Sequence, residues 1–408
     1  MSTDLAWLLL CTALVIFMTP GLAFFYGGLV KSKSVVSMMM LSFGSLGLIT
    51  VLWVLYGATG IGTLGDGPIS QFFGNPFQDF ALTEAVQADD DTLGGIAFGA
   101  SFAIITVALI SGAIADRARF FPWLLFAGIW ATLVYFPGQA WVWGDGGWII
   151  EGKGILNGVG ALDWAGGTIV HQASGAAALA LALVLGKRKV GFSKEESAPH
   201  NVPLVLIGAS ILWFGWFGFN TGAHADTEAQ TSLIFLNTLI APAAAMLGWL
   251  VVEHFREGKA TAVGAASGIV AGLVVITPAC AHIDPWVAIV LGALAGAVCA
   301  VAIDLKFKLG FDDTLDVVGI HLVAGFLGCI ALGFVAKYDA EGLFYGGGFG
   351  QLWSQFASSI VVIAWAFGVA FVVGTLIEKT IGLRAKEEDE IAGIDLVLHG
   401  EGYALNNQ

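Results

Sequence analysis

The sequence predicts an all-α polytopic membrane protein, and its composition supports that prediction in three ways. Hydrophobic residues make up 57% of the 408 residues and charged residues only 12%, with a mean hydropathy of +0.83. Soluble domains carry about 25% charged residues, so this chain is far outside their range. The 56 glycines are about twice the average usage and recur inside apolar runs, as in transmembrane helices that approach one another closely.

Eleven apolar segments are each close to the ~20 residues that a helix needs to cross the hydrocarbon core. They lie at about 5–30, 36–62, 93–114, 120–137, 164–186, 202–219, 229–252, 260–279, 286–303, 317–337 and 353–381. The first segment has an acidic residue, Asp4, and neither a basic n-region nor a small-residue cleavage site before it. We therefore expect a retained first span rather than a removable signal peptide.

The basic residues predict the orientation of these spans. An odd number of spans puts the termini on opposite sides, and 15 of the 17 Lys and Arg residues fall on the loops of one side or in the C-terminal segment. Only Lys153 and Lys337 fall on the other side. The positive-inside rule therefore places the N-terminus outside and the C-terminus in the cytoplasm. The outer loops are acidic, which is interpretable as solvation or as attraction of cations.

The cysteines and the net charge exclude other classes of function. Cys11, Cys280, Cys299 and Cys329 form no CxxC motif and no Cys/His cluster, so neither a disulfide framework nor a zinc site is predicted, and no cofactor is expected. The formal charge of -14 and the pI near 4.7 argue against nucleic acid as a partner.

A weak internal repeat places two histidines inside the apolar segments. Asp163 is followed eight residues later by His171 in the fifth span, and Asp313 eight residues later by His321 at the tenth. The copies are five spans apart, so spans one to five and six to ten run in opposite senses, as in transporters built from inverted repeats. Eight residues correspond to about 12 Å of helix rise, which predicts that both imidazoles lie deep in the bilayer at similar depth.

An ionisable residue inside the membrane is costly and indicates a transport pathway, and a neutral imidazole both donates and accepts a proton. We therefore interpret His171 and His321 as pore residues that meet near the midplane. Asp163 permits two interpretations, an N-cap of the Gly-rich helix that follows it or a buried carboxylate that attracts a cation to the outer mouth. Capping is the expected role of Asp313 on the cytoplasmic side.

The residues around the histidines resemble those of the ammonium transporter family, the Amt/Mep/Rh proteins. The stretch DWAGGTIVHQASGAAALALALVLGKR, from Asp163 to Arg188, resembles the signature of that family across its fifth span. Further matching segments are PGLAFFYGGLV at 20–30, GWFGFN at 215–220, SGIVAGLVVITPAC at 267–280 and DVVGIHLVAGFLGCI at 316–330. The resemblance covers the chain from the first span to the tail IDLVLHGEGY.

The resemblance implies a homotrimer in the cytoplasmic membrane, which is the inner membrane of the cell. Each eleven-helix subunit would have its own narrow apolar pore for ammonium or ammonia, and methylammonium would be an analogue of the substrate. It implies a membrane domain at 1–382, with repeats at about 1–190 and about 200–338 and the eleventh helix at about 353–381. The segment 383–408 is then a cytoplasmic tail, either a solvated end or a segment that packs beneath neighbouring subunits and meets PII-type regulators. Such a protein is not an enzyme, because only an N–H bond is broken.

Aromatic residues of the pore are carried over position by position. Phe102 and Phe219 match the stacked phenylalanines that close the outer mouth in the family, Trp143 matches the external-vestibule tryptophan and Trp216 a pore-lining tryptophan. Aromatic faces attract a small cation by about 0.5–2 kcal/mol. Without the resemblance, these side chains would be interpreted as packing.

Two positions depart from the family pattern. The serine that usually follows GWFGFN is Ala223, and the glutamine often found near the first phenylalanine is Gly99. The resemblance therefore predicts a weakened outer site, for which His224, Asp226 or Thr221 is a possible replacement ligand. For His224, a loop residue is the favoured interpretation over a replacement ligand.

The sequence therefore predicts inward conduction of ammonium or ammonia across the cytoplasmic membrane, and two alternatives stay open. In an ammonium sensor the same pore binds but conducts little and reports to a signalling partner or domain, which Ala223 and Gly99 favour. In a channel for another small neutral gas, the two histidines would be dispensable. Ammonium-evoked currents in proteoliposomes separate the three functions.

Overall fold

In a computed structural model of the chain, the described residues are 2–65, 67–88, 92–193, 198–223 and 227–403. Across these ranges the chain is helical, and its one β-type pairing is an isolated bridge between Ala118 and Arg384. Among the described residues, ten helices are long and apolar enough to cross a membrane, and Ala262–Ile276 is a shorter apolar helix. The prediction of an all-α, multi-pass membrane protein with eleven helical segments is therefore confirmed.

We number the helices along the chain. They are α1 (Thr3–Leu29), α2 (Val35–Ile61), α3 (Thr92–Ile114), α4 (Phe120–Trp143), α5 (Gly167–Leu185), α6 (Val202–Thr221), α7 (Glu228–Glu257), α8 (Ala262–Ile276), α9 (Pro285–Leu309), α10 (Val318–Val335), α11 (Gly350–Thr380), α12 (Glu387–Ala392) and α13 (Ile394–His399).

Helix α4 extends beyond the predicted end of the fourth span at residue 137. Pro137 has no N–H to donate, but a π-helical turn over Ala131–Tyr135 precedes it, and the N–H of Phe136 donates to the carbonyl of Ala131. The wider turn lets the helix continue through the proline to Trp143. The predicted end was wrong because an apolar-run criterion treats proline as a break.

Helix α8 is shorter than the predicted span 260–279. It ends at Ile276, two residues before Pro278, because the proline ring cannot continue the hydrogen-bond ladder. The carbonyl of Pro278 accepts a hydrogen bond from the N–H of Trp164 at 3.2 Å instead. This break joins the segment after α8 to the segment that precedes α5.

The starts of α5 and α10 have matching caps, as the internal repeat predicts. The carboxylate of Asp163 accepts the backbone N–H groups of Gly166, Gly167 and Thr168 at 2.9, 2.6 and 2.8 Å, and the hydroxyl of Thr168 donates to it as well. The carboxylate of Asp313 likewise accepts the N–H groups four and five residues later, at 3.1 and 2.7 Å. Each aspartate therefore satisfies the free N–H groups of a helix start.

Both histidines lie in π-helical turns, Gly167–Gln172 in α5 and Val318–Leu322 in α10. The expected 12 Å of helix rise between Asp163 and His171 was wrong, because the capping aspartate stands outside the helix. Gly167 is the first helical residue, and the helix rises at most about 6 Å between Gly167 and His171.

Small residues let α5 and α10 approach closely enough for the imidazoles to meet. A Cβ atom on Gly175 would lie 2.6 Å from the Cβ of Leu322, and one on Gly325 would lie 3.0 Å from the Cβ of His171. Both distances are shorter than van der Waals contact, so larger residues would force the helices apart. The glycine-rich composition thus has a direct structural consequence at the repeat interface.

The segment after α11 docks on loops of its own subunit. The carboxylate of Asp395 accepts the N–H groups of Val36 and Ser37 at 3.0 and 2.8 Å and so caps the start of α2. Arg384 donates to the carbonyl of Leu185 at 2.7 Å at the end of α5. These contacts join the tail to two loops within one chain, and packing beneath neighbouring subunits stays a prediction.

Candidate functional site

A cavity of about 740 Å³ lies among the loops that the charge distribution predicts to be external, and we call it the outer cavity. Its wall includes Gly99, Phe102, Trp143, Asp163, Trp164, Ala223, Gln230, His282 and Asp339. The cavity thus brings Phe102 and Trp143 together with both departures from the family pattern.

Two stacked phenylalanines separate the outer cavity, which Phe102 lines, from a second cavity, which Phe219 lines. The rings of Phe102 and Phe219 have centroids 4.0 Å apart and an interplanar angle of 15°. The indole of Trp143 stands edge-on to Phe102 at 6.0 Å and donates its N–H to the carbonyl of Asp163 at 2.7 Å. This hydrogen bond fixes the ring of Trp143 beside the phenylalanine pair. Trp143 reaches this position because helix α4 continues past Pro137.

Beyond the phenylalanine pair lies a much smaller space, of about 10 Å³, which we call the central cavity. Phe219, Trp216, His171 and His321 line it together with aliphatic residues and Phe25. A volume of about 10–15 Å³ is the minimum that admits one water molecule. The passage therefore excludes a hydrated ion.

The two histidines are in direct contact. Nδ1 of His171 and Nδ1 of His321 are 3.2 Å apart, and their ring centroids are 5.3 Å apart. Only one of the two Nδ1 atoms can carry the shared proton when both rings are neutral, so the other ring carries its proton on Nε2. One Nε2 atom is then an acceptor and the other a donor. Nε2 of His171 is buried and has no hydrogen-bond partner in the described part of the chain.

Trp216 fixes the orientation of the first histidine. Its ring is stacked on His171 with a centroid distance of 5.4 Å and an angle of 16°. The indole N–H donates to the hydroxyl of Thr277 at 2.8 Å, and that hydroxyl donates to the carbonyl of Leu273 at 2.8 Å. The indole N–H of Trp216 and the hydroxyl of Thr277 therefore both have hydrogen-bond acceptors. The imidazole nitrogens are then the polar atoms that face the passage.

On the opposite side a cavity of about 640 Å³ lies among the loops predicted to be cytoplasmic, and we call it the inner cavity. Phe25 borders both this cavity and the central cavity, whereas Asp316 borders the inner cavity and not the central one. Two wide cavities are therefore separated by a narrow apolar stretch with one histidine pair in it.

The departures at Gly99 and Ala223 differ in their structural setting. A Cβ atom on Gly99 would lie 2.8 Å from Cζ2 of Trp53, whose N–H donates to the carbonyl of Ile96 at 2.9 Å. The tryptophan ring thus fills the space that a glutamine side chain would need. Ala223 lies on the cavity wall, with its methyl group in the place of the missing hydroxyl.

Two of the candidate replacement ligands, His224 and Asp226, lie outside the described residues. Thr221 is described and is buried away from the outer cavity. Its hydroxyl donates to the carbonyl of Phe217 at 2.6 Å and contacts the sulfur of Cys11 at 3.8 Å. The hydroxyl of Thr221 therefore makes contacts between helices and does not line the outer cavity.

Sequence reasoning missed His282, Asp339 and Trp164 as residues of the outer cavity. His282 and Asp339 lie outside the stretches that carry the family resemblance, whereas Trp164 lies inside the stretch from Asp163 to Arg188, where no role was assigned to it. The available signal was their position beside the ends of α8, α10 and α5, which the structure brings together. No group of three His, Cys, Asp or Glu side chains among the described residues is placed to hold a metal ion.

The family model described as Ammonium Transporter Family matches residues 6–403. The ammonium transporter of Mycobacterium tuberculosis strain H37Rv is 49% identical, with 98% of this chain and 90% of the relative covered. That of Bacillus subtilis is 42% identical, with 98% and 97% covered.

Solved structures agree with these sequence matches. Mep2 of Candida albicans is 32% identical with a TM-score of 0.85, covering 99% of this chain and 91% of that one. A protein described as Sensor Amt Protein is 25% identical with a TM-score of 0.85, covering 97% and 98%. With a family match over nearly its whole length, the chain belongs to the ammonium transporter family.

Proposed function

We propose that the chain conducts ammonium inward across the cytoplasmic membrane by binding the cation in the outer cavity, releasing a proton there, and passing ammonia along His171 and His321. The observation that carries this proposal is the succession of an outer cavity, the Phe102–Phe219 stack, the contacting imidazoles and an inner cavity. The names of the relatives support transport of ammonium rather than an enzymatic activity.

The size and polarity of the central cavity explain why the cation must lose its proton. Transfer of an unpaired ion into an apolar environment costs far more than transfer of a small neutral polar molecule. The central cavity admits no hydration shell, and its aromatic walls have their N–H groups engaged. In the proposed step one N–H bond of ammonium breaks, water in the outer cavity takes the proton, and the lone pair stays on ammonia.

The shared proton of the histidine pair fits ammonia as the conducted species. Ammonia has one lone pair and three N–H donors, and the pair offers one Nε2 donor and one Nε2 acceptor when both rings are neutral. The buried Nε2 of His171 without a partner is available for such a contact. Each imidazole nitrogen thus replaces a hydrogen bond that ammonia loses when it leaves water.

Restoring the family's hydroxyl at position 223 should tighten the outer site. We expect Ala223→Ser to lower the dissociation constant for methylammonium by a few-fold to about tenfold, since one hydrogen bond contributes about 0.5–1.5 kcal/mol and more to a charged partner. Calorimetric titration of the purified protein measures this, with wild type as the reference. Unchanged affinity would mean that another group already occupies the role.

Conduction is tested by growth and by flux into proteoliposomes. We expect the chain to rescue a strain that lacks its own ammonium transporters at low ammonium and mildly acidic pH, where little free ammonia is available to cross the lipid. Proteoliposomes should give ammonium-evoked flux in the same preparation. A correctly inserted protein that binds methylammonium but gives neither rescue nor flux would favour the sensor function, to which the likeness to the Sensor Amt Protein also points.

The proposal includes a homotrimer and a PII-type regulator. Support for a cytoplasmic docking face comes from the tail, in which Asp395 caps α2 and Arg384 reaches the end of α5. A ligand on the tail would therefore act on two pore-forming helices. Light scattering of the detergent-solubilised protein tests the trimer, and co-purification with a PII protein tests the regulator.

A further inference from the structure

We propose that Asp339, positioned by His282, is a cation-recruiting carboxylate of the outer cavity that supplies attraction absent at Ala223 and Gly99. The inference rests on the proposed function, in which the cation is ammonium. Asp339 would bind the cation, and His282 would act as a positioning residue that holds the carboxylate toward the cavity.

Two acidic side chains line the outer cavity in the described part of the chain, and they are not equivalent. Asp163 is buried, and both of its carboxylate oxygens accept hydrogen bonds from the start of α5. Those bonds stabilise its charge and leave no oxygen directed at a ligand. Asp339 retains 41% side-chain exposure and is thus the carboxylate that a cation in the cavity can contact.

His282 is a built part of the cavity wall rather than a surface histidine. It is 4% exposed, and its ring stands edge-on to Trp164 with centroids 5.8 Å apart. Its carbonyl accepts the N–H of Lys337 at 2.8 Å, which ties the segment after α8 to the segment after α10. Nδ1 of the buried imidazole lies 2.8 Å from Oδ2 of Asp339.

The backbone and neighbours of Asp339 also favour a fixed carboxylate. Asp339 has a φ of 68°, in the left-handed region that non-glycine residues enter at a cost unless the surroundings hold them there. Nε2 of Gln230 lies 3.5 Å from Oδ2 on the side of α7. Both of these contacts are to Oδ2, and among the described residues no hydrogen bond to Oδ1 accompanies them.

The other acidic side chain beside His282 is already paired. Asp284 accepts hydrogen bonds from Lys337 and from the hydroxyl of Tyr338, both at 2.6 Å. Its charge is therefore compensated locally. The close contact with the His282 ring holds the pKa of Asp339 below its usual value, so Asp339 remains charged in mildly acidic medium, where ammonium far outweighs ammonia.

The geometry suits ammonium because the cation has four N–H donors. Oδ1 of Asp339 accepts one of them, and the ring faces of the same cavity attract the cation without requiring directed acceptors. A carboxylate that is partly exposed attracts a cation over several ångströms, and dissolved salt screens that attraction. Salt dependence is therefore a specific mark of this contribution.

Uptake of labelled methylammonium into proteoliposomes is the first test. We expect Asp339→Asn to raise the apparent KM about three- to tenfold, with a maximal rate within about twofold of wild type, because attraction is lost outside the narrow passage. The KM of wild type should rise with ionic strength more steeply than that of the variant. Glu341→Gln makes the same charge change two residues away, outside the cavity wall, and should behave as wild type.

Two further variants separate positioning from folding. Asp339→Glu keeps the charge and should restore most of the affinity, while His282→Gln should raise KM in the same direction as Asp339→Asn and leave the maximal rate unchanged. A loss of maximal rate with unchanged KM in His282→Gln would show a structural role alone and would overturn its assignment as a positioning residue.

The outcomes distinguish this inference from the proposed function. If wild type transports and Asp339→Asn has wild-type KM and salt dependence, the inference is wrong and the proposed function stands. If wild type gives no uptake, conduction is wrong, and calorimetric binding of methylammonium then decides the inference. Weaker binding by Asp339→Asn than by Glu341→Gln supports it, and equal binding overturns it.

Discussion

His171→Ala and His321→Ala should each abolish or strongly reduce ammonium flux while the protein still folds and assembles. The two Nδ1 atoms are 3.2 Å apart in a cavity of about 10 Å³, so removal of either ring leaves the other without its partner. An unmade buried hydrogen bond costs about 1–3 kcal/mol, which corresponds to about 5- to 150-fold in rate if the loss falls on the conducting state. Uptake of labelled methylammonium into proteoliposomes measures the effect and does not require net movement of charge.

The matched control is His254→Ala, which removes an exposed histidine at the end of α7 and should leave flux unchanged. Size-exclusion chromatography in detergent should show the same assembled species for all three variants. Wild-type flux and wild-type selectivity in both pore variants would remove the histidines from the mechanism and would favour a channel for another neutral gas.

The fold and the histidine contact were predictable because both follow from long-range regularities of the sequence. Apolar runs of membrane-spanning length specify the helices, and the Asp-to-His spacing repeats in α5 and α10. The structure adds that Gly175 and Gly325 permit the close approach that brings the rings together. A sequence shows that such glycines are present but not which helix faces them.

Other parts of the site depend on short segments between helices and were not predictable. The end of α8 before Pro278 and the backbone bond between Lys337 and His282 bring Asp339 to the outer cavity. No periodic pattern marks such contacts, because they join residues more than 50 positions apart in irregular backbone. The tight setting of Gly99 against Trp53 was hidden for another reason, because the helical pattern does not show which residues of α2 and α3 face each other.

A buried ionic network joins the two repeats on the side that the charge distribution predicts to be cytoplasmic. Arg188 binds both carboxylate oxygens of Asp312, with Nε 2.9 Å from Oδ2 and Nη2 3.0 Å from Oδ1, and its Nη1 lies 3.0 Å from Asp116. Arg117 donates to the carbonyl of Asp312 at 2.5 Å and to the hydroxyl of Thr314 at 2.6 Å. The segments that follow α3 and α5 are thus held against the segment that precedes α10.

The charges in this network depend on one another. Burial alone would raise the pKa of Asp312, but the neighbouring Arg117 and Arg188 charges and the hydrogen bonds from Arg188 hold it below its usual value. Burial lowers the pKa of Arg117 to about 10, so this guanidinium stays charged at neutral pH. Removing the carboxylate charge of Asp312 therefore leaves the buried guanidinium groups of Arg117 and Arg188 without that compensating charge.

Asp312→Asn should destabilise the protein by about 3–5 kcal/mol, since loss of one partner leaves a buried charge uncompensated. Thermal unfolding in detergent at neutral pH measures the effect as a lower midpoint. Glu151→Gln is the control, because its pair with Lys153 is exposed and such pairs contribute about 0–1 kcal/mol.

Because the folded-state pKa of Asp312 is depressed, the stability that its carboxylate contributes is present above the unfolded-state pKa of about 3.9 and is lost as pH falls through the folded-state pKa. The loss of unfolding free energy in the variant should therefore stay constant from neutral pH down to about pH 5 and shrink only below the pKa of the unfolded state. An equal unfolding midpoint for variant and wild type at neutral pH would contradict the role of this network in joining the repeats.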